Sequence, residues 1–509
     1  MITFFFIISI LVVLARLIHK LWWKPLQIQK ILRSQGIKGP SYKLIHGNTK
    51  DILKMRKEAI SSCDDLCSHD VFPRILPHLN TWIKLYGSNF LIWMGDQPQI
   101  IVTEPELARE ILTNKDGIYK KCKPLNYVKR LLGDGLVVAE GEKWSKLRKL
   151  SNYAFHGDSL KDMVPAMVES VDTMLERFEG NVGKEIEISK EFKLLTSDII
   201  SKTAFGSTYV EGQDIFDMLM KLVVLITRNA FKIRPFGLKR IWRSSDEIEA
   251  DRVEKSLRDS IVSLVRKRED MVRTGQLEDF GNDFLGALMK VNHEVDPKIR
   301  ISLDDIVDEC KVFFIAGHET TSSLLSWTAL LLSIHEEWQE RARDEVLHLF
   351  GMDKPTAQGL SRLKILTMIL NEALRLYSPV LALTRKVGQE TRLGRYKIPA
   401  DVEVYIPPLA LHRNHEIWGR DAHLFKPERF GDGVAKAANG NPTALAFLPF
   451  GAGPRACVGL NFAGDEAKVA LIMILQRYKL TLSPNYVHAP FQLLTVNPQH
   501  GIQIILQSA

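Results

Sequence analysis

Residues Phe450 to Gly459, F-G-A-G-P-R-A-C-V-G, hold one cysteine in a glycine-rich loop beside an arginine. Cysteine binds a metal as the thiolate, which is favoured where free backbone N–H groups and a cation lie close. The stretch after the loop, Gly459 to Leu475, has helical periodicity, so Cys457 is expected at a helix N-terminus. Gly451, Gly453 and Gly459 suit positive φ and a close approach to a flat ligand, and Pro454 stiffens the turn. Arg455 suits an acidic group on that ligand. The competing reading is a chance glycine loop with a packed free cysteine; five residue types held at these spacings weigh against it.

A second constellation interrupts an apolar run. Val312 to Leu332 reads V-F-F-I-A-G-H-E-T-T-S-S-L-L-S-W-T-A-L-L-L. Gly317 costs ~1 kcal/mol relative to alanine inside a helix, and a buried carboxyl and hydroxyl cost more unless they are used. A mid-helix glycine is expected to let a flat ligand lie on the backbone. Glu319 beside Thr320 can carry protons into a site that excludes water. The alternative is a solvated helix face. His318 reads as structural.

Other side chains suit acidic groups. Trp144-x-x-x-Arg148 puts an indole N–H and a guanidinium on one helix face, and Arg385 lies in L-T-R-K; all are donors to carboxylates. Glu372-x-x-Arg375 places an acid and a base three residues apart on a helix. Alone this spacing says little. Pro427-Glu-Arg-Phe430 offers Arg429 as a second partner for the same acid, as an ionic lock under the thiolate loop.

The elements that must position these residues are mostly helical. Residues 160–290 carry helical periodicity, Ser302 to Gly351 predicts two long helices opened by a Ser302-x-x-Asp305 capping box, and Leu363 to Tyr377 predicts another. Leu91 to Thr103 reads as two short strands around a turn, Pro105 to Thr113 as a helix, and Val402 to Ile406 as a strand. Phe491 to Leu506 reads as a hairpin around Asn497-Pro-Gln-His-Gly501. The fold class is mainly α with small β-sheets, too poor in strands for a doubly wound sheet.

Length and composition set the frame. The chain has 509 residues, 45% of them hydrophobic, ample for a large core. It shows no linker or repeat after residue 40, so one catalytic domain is expected over 41–509. The five cysteines (Cys63, Cys67, Cys122, Cys310, Cys457) are scattered and make no disulfide framework. Cys63 and Cys67 lack a second pair for a zinc finger. No permitted N-glycosylation sequon occurs. These features favour a reducing compartment. The net charge of +8 comes without a basic stripe interleaved with aromatics, and nucleic acid is not an expected partner.

Ile2 to Ala15 is uncharged and apolar, and counting to Ile18 gives the roughly 17 residues a spanning helix needs. Trp22 and Trp23 suit the interface, and positive charge follows only on the C-terminal side. An uncleaved anchor over 1–23 is expected in preference to a signal peptide, then a basic and proline hinge over 24–40, with the rest of the chain in the cytosol.

The thiolate loop, A-G-H-E-T-T, E-A-L-R and P-E-R-F stand in the order found in the cytochromes P450, the haem-thiolate monooxygenases, and the chain resembles that family over essentially its whole length. G-I-K-G-P-S-Y at 36–42, F-P-R-I-L-P-H at 72–78, G-D-G-L at 133–136 with G-E-K-W at 141–144, and L-H-R-N-H-E-I-W-G-R-D-A at 411–422 are similar to the plant microsomal clan that includes secologanin synthase and the brassinosteroid-inactivating hydroxylases. The resemblance implies the cytochrome P450 fold behind a single transmembrane helix, and haem b (iron protoporphyrin IX) as cofactor. Cys457 is then the axial ligand of the iron and Trp144, Arg148, Arg385 and Arg455 bind the propionates. Glu372, Arg375 and Arg429 form the lock, and Glu319 with Thr320 is the acid–alcohol pair.

It further implies O2, NADPH–cytochrome P450 reductase and the bilayer of the endoplasmic reticulum as partners. No nicotinamide or flavin motif is present in the chain. Lys143, Lys146 and Lys149 are candidates for a basic docking face. By homology, substrate contacts fall near 119–135, 222–240, 312–320, 381–384 and 491–496, with Leu222, Val223, Phe313, Leu381, Leu383, Leu493 and Leu494 as side chains. An apolar skeleton such as a terpenoid or steroid-like hormone fits; a fatty acid or xenobiotic is the alternative. A haem-thiolate isomerase or dehydratase needs no acid–alcohol pair, and a non-catalytic haem sensor needs no proton relay.

Overall fold

The computed structural model describes residues 2–61, 66, 68–124, 126–207, 209–229, 244–438 and 446–509. Cys63 and Cys67 and the expected substrate contacts at 230–240 lie outside the described residues. The chain is mostly helical with small sheets. It forms two compact units: Met1–Cys122, Leu374–Ala456 and His488–Gln492 in the first, and Lys123–Ala373, Cys457–Val487 and Leu493–Ala509 in the second.

In chain order, the helices that bear on the site are α1 (Ile2–Ile18), α2 (Lys24–Ser34), α3 (Pro105–Thr113), α4 (Gly141–Ala154), α5 (Ile188–Phe205), α6 (Leu303–Ile334), α7 (Glu336–Phe350), α8 (Ile365–Leu376) and α9 (Leu460–Arg477). The strands that bear on the site are β1 (Asn89–Met94), β2 (Gln97–Val102), β3 (Tyr119–Lys120), β4 (Glu185–Glu187), β5 (Leu383–Val387), β6 (Glu403–Ile406), β7 (Tyr478–Leu482) and β8 (Gln503–Ser508).

In the first unit, α1 leads through a π-helical turn, His19–Trp23, into α2. Phe4, Phe5, Phe6, Leu11 and Val13 are all exposed, and such a helix has no protein core to bury it. The stretch Thr3–Ser34 is long and apolar enough to cross a membrane, by length and composition. Residues 24–34, expected within a hinge, are helical; Pro25 sits in the first turn, where its missing N–H costs nothing. Ile28 and Leu32 enter the core of the unit beside Trp93, Ile100 and Val404.

That core lines a five-stranded sheet of order β1-β2-β6-β5-β3. β1 and β2 pair antiparallel with Phe90 opposite Ile101. β2 runs parallel to β6, with Ile100 opposite Val404. β5 returns antiparallel to β6, which sets Arg385 opposite Val404.

The second unit is built on α6. Ser302 and Asp305 cap each other's backbone N–H groups at its start, satisfying donors that helix geometry leaves over. Gly317 has a reason other than the one its position suggests. A Cβ there would lie 2.8 Å from Ile200 Cδ1 on α5, so the glycine lets α5 and α6 approach each other. Phe313, expected to meet substrate, stacks on Phe155 at 5.2 Å and packs on Phe284 at 4.0 Å. Leu222 is fully buried. Both belong to the core.

The C-terminal hairpin expected at 491–506 is not formed. β8 pairs antiparallel with β4 on one side and β7 on the other. With both edges occupied it has no ladder left for the strand before the Asn497 turn.

Candidate active site

Cys457 stands just ahead of α9, whose N-cap is Gly459. Cys457 is exposed as a residue although protein surrounds its thiol densely. That surrounding pushes the thiol up from its ordinary range, and the Gly459 amide and the Arg148 guanidinium oppose the shift. The two groups that favour an anionic sulfur are therefore in place. Gly459 has φ −92° rather than the positive φ expected; Gly451 and Gly453 do have positive φ. A Cβ on Gly453 would lie 2.2 Å from the Leu112 carbonyl oxygen of α3, so the loop lies against that helix and admits no side chain there.

Arg148 and Trp144 are half-buried on α4, one turn apart, and Arg148 lies close enough to Cys457 for each to shift the other. The other two expected donors belong to the first unit. Arg385 is buried on β5 and donates to the Thr384 carbonyl at 2.8 Å. Arg455 ends the short turn Gly453–Arg455 and is half-buried.

In α6 the polar break divides by face. Residues adjacent in a helix point about 100° apart. Ala316 is exposed and Thr320 half-buried in a helix otherwise largely buried, which marks one open face. The Thr320 hydroxyl donates to the Ala316 carbonyl at 2.6 Å. Glu319 turns inward, with 1% of its surface exposed. Its Oε1 accepts from the Thr495 hydroxyl at 3.1 Å and the Asn497 amide at 2.9 Å. The carboxyl and hydroxyl thus have separate partners. His318 is buried against Thr196, 2.8 Å from its hydroxyl, and burial lowers its pKa to about 3, as suits a structural imidazole.

A further acid lies nearer the start of α6. Glu309 is fully buried and accepts from the Leu136 amide at 2.5 Å, while Asp308 accepts from the Asp134 amide at 2.9 Å. Together they hold the 133–136 turn ahead of α4. Burial pushes the Glu309 carboxyl up to about 8. Glu466 on α9 is also fully buried, with its carboxyl raised well above the usual range by burial.

Lys143 is salt-bridged to Asp305 at 2.5 Å, and Lys146 donates to the Arg300 carbonyl at 3.3 Å. Of the lysines expected on a docking face, these two have partners within the chain, and Lys149 is exposed. In the first unit, Arg375 donates to the carbonyls of His412, Ala422 and Leu424. Arg429 donates to the Trp418 and Asp421 carbonyls and pairs with the Asp421 carboxylate at 2.8 Å. Lys426 and Arg429 hold the Asp421 carboxyl well below the usual range. Both arginines brace the 412–424 segment, and Asp421 is an ion-pair partner that the sequence motifs did not reveal.

These residues fit a thiolate-ligated flat cofactor with acidic edges. The donor set contains an exposed cysteine at a helix N-terminus, an adjacent guanidinium and an indole N–H. A helix face open at Ala316 and Thr320 accompanies them in the same unit. Among the described residues no group of three or more His, Cys, Asp or Glu side chains could hold a metal ion.

The family model described as Cytochrome P450 matches residues 75–506. The chain is 52% identical over 501 residues to "Cytochrome P450 CYP749A22" of Panax ginseng, covering 98% of this chain and 95% of that one. It is 42% identical to "Secologanin synthase 2" of Catharanthus roseus, covering 96% of this chain and 94% of that one. It is 40% identical to "11-oxo-beta-amyrin 30-oxidase" of Glycyrrhiza uralensis, covering 97% and 95%.

Proposed function

The chain belongs to the cytochrome P450 family of haem-binding monooxygenases, and from that premise we propose that it hydroxylates a C–H bond of a bulky, largely apolar terpenoid. The observation that carries this reading is the exposed Cys457 placed just ahead of α9, with the Arg148 guanidinium close enough to act on its thiol. The names of the relatives that act on 11-oxo-β-amyrin and make secologanin point to terpenoids. Electrons come from NADPH through the membrane-bound cytochrome P450 reductase. The N-terminal helix holds the enzyme in the endoplasmic reticulum membrane with the catalytic units in the cytosol.

When bound, haem supplies the reductive activation of O2 and the transfer of one oxygen atom to substrate. The chain's own residues do the rest. Cys457 would hold the iron as a thiolate, and the Gly459 N–H and the Arg148 charge oppose the burial that favours its neutral form. Trp144 and Arg148 offer N–H donors to the propionates. Thr320 faces the open side of α6; its hydroxyl proton is engaged by Ala316, so its oxygen is free to accept, and a turn of χ1 frees it to donate. Glu319 holds or releases a proton from the buried side. The apolar residues of α6 around them keep bulk water from competing.

The reading is tested with microsomes holding the full chain and the reductase. They are supplied with NADPH and a panel of oleanane triterpenoids, iridoid monoterpenoids, steroids and fatty acids. The expected result is a terpenoid product heavier by one oxygen atom. Turnover of fatty acids with every terpenoid and steroid untouched would overturn the substrate class.

A further inference from the structure

Glu319, Thr495 and Asn497 close a triangle inside the second unit, each nearly devoid of exposed surface. Besides the two bonds to Glu319 Oε1, the Asn497 amide donates to the Thr495 hydroxyl oxygen at 3.0 Å. A threonine has one hydroxyl proton and an amide has two. Thr495 gives its proton to Glu319 and accepts one from Asn497; Asn497 gives its second to Glu319. The set is complete without any other donor.

The backbone between these residues is fixed to the same helix. The Ser323 hydroxyl and the Trp327 indole N–H each donate to the Val496 carbonyl at 2.8 Å. Segment 495–497 is thus held along α6 from Glu319 to Trp327 and cannot shift without breaking buried bonds. The other carboxyl oxygen, Glu319 Oε2, is buried with no hydrogen-bond partner.

We propose that Thr495 and Asn497 are positioning residues that saturate Oε1 of Glu319, so that a proton enters and leaves this acid only through Oε2. The inference rests on the reading of Glu319 as a proton carrier. It adds that the carrier's orientation is set by the segment that directly follows Leu493 and Leu494. Substrate shape and proton delivery then share one support.

The test uses the full-length, haem-loaded enzyme with reductase and NADPH and no added substrate. It reads hydrogen peroxide released per NADPH oxidised over a pH series. Peroxide forms when O2 takes two electrons and two protons and leaves; delayed proton delivery raises its share. Glu319→Gln keeps an accepting oxygen but no acid, and raises the yield several-fold. Thr495→Val keeps the shape and removes the hydroxyl, and Asn497→Leu removes the amide donors. Each raises the yield in the same direction, alters its pH profile, and adds nothing when combined with Glu319→Gln. Thr495→Ser restores the wild-type value, which a packing role for the threonine methyl would not allow.

Amide hydrogen exchange over residues 493–498 gives a readout independent of turnover. It rises in Thr495→Val and Asn497→Leu and stays at the wild-type level in Thr495→Ser and Glu319→Gln. Loss of haem in one of the two donor-deleting variants leaves the other corner of the triangle to decide. A raised yield in Glu319→Gln with both donor-deleting variants at the wild-type level overturns the positioning role and leaves the relay standing. An unchanged yield in Glu319→Gln overturns the relay and the inference with it.

Discussion

At the scale of single residues, burial and pairing decide what each group does. Glu309 is a carboxyl whose folded pKa, about 8, lies above its unfolded value of about 4.3. The native state therefore binds more protons than the unfolded chain between those values. Its contribution to stability is complete below pH ~4.3 and is lost as pH rises through about 8. Glu309→Gln keeps the acceptor for the Leu136 amide and has no proton to lose. The melting temperature of the wild type, relative to that variant, is expected to fall steadily across this window; a constant difference would show that Glu309 does not titrate there. Thr320→Ala removes the one hydroxyl on the open face of α6. It is expected to raise peroxide per NADPH while the reduced carbon monoxide spectrum stays normal, and normal coupling would remove Thr320 from the relay. The motif A-G-H-E-T-T made Glu319 and Thr320 legible as a pair. It could not reveal that their side chains have different partners, because Thr495 and Asn497 lie far along the chain, where Asn497 reads as the start of a turn.

At the scale of elements, helix packing gives a glycine a reason that the motif alone did not show. Gly317 is required by the Ile200 side chain of α5. Gly317→Ala gains ~1 kcal/mol of helix propensity and meets an overpacking cost of about 1–3 kcal/mol. The expected net effect is a destabilisation of roughly 1 kcal/mol, read by chemical denaturation. Trimming the opposing side chain with Ile200→Val should restore most of it; failure of that rescue would place the strain elsewhere. Capped and strongly periodic elements were legible from sequence: α6 begins at its Ser302–Asp305 capping box, and α3 and β2 fall where their patterns place them. The C-terminal hairpin was not legible. Alternating residues in β8 specify a strand without specifying a neighbour, and its partners, β4 and β7, are supplied by distant segments.

At the scale of the whole molecule, the apolar face of α1 has no protein to cover it, whereas α2 contributes Ile28 and Leu32 to a core. Removal of residues 2–23 should move the protein from the membrane pellet to the supernatant and leave the cofactor spectrum intact; a chain that stays with the membrane would point to a second anchoring surface. The two compact units were not legible from composition, because each is assembled from three separated stretches with no linker between them. What the sequence did carry was the order of its motifs, since the thiolate loop needs a helix behind it and a cation beside it, both of which are present. The central claim is that Cys457 ligates haem iron as a thiolate. The measurement that tests it most directly is the reduced carbon monoxide difference spectrum of the purified protein beside Cys457→Ser. The wild type should show the long-wavelength band that gives the family its name, and the variant should lack it; a band that survives the substitution would contradict the assignment.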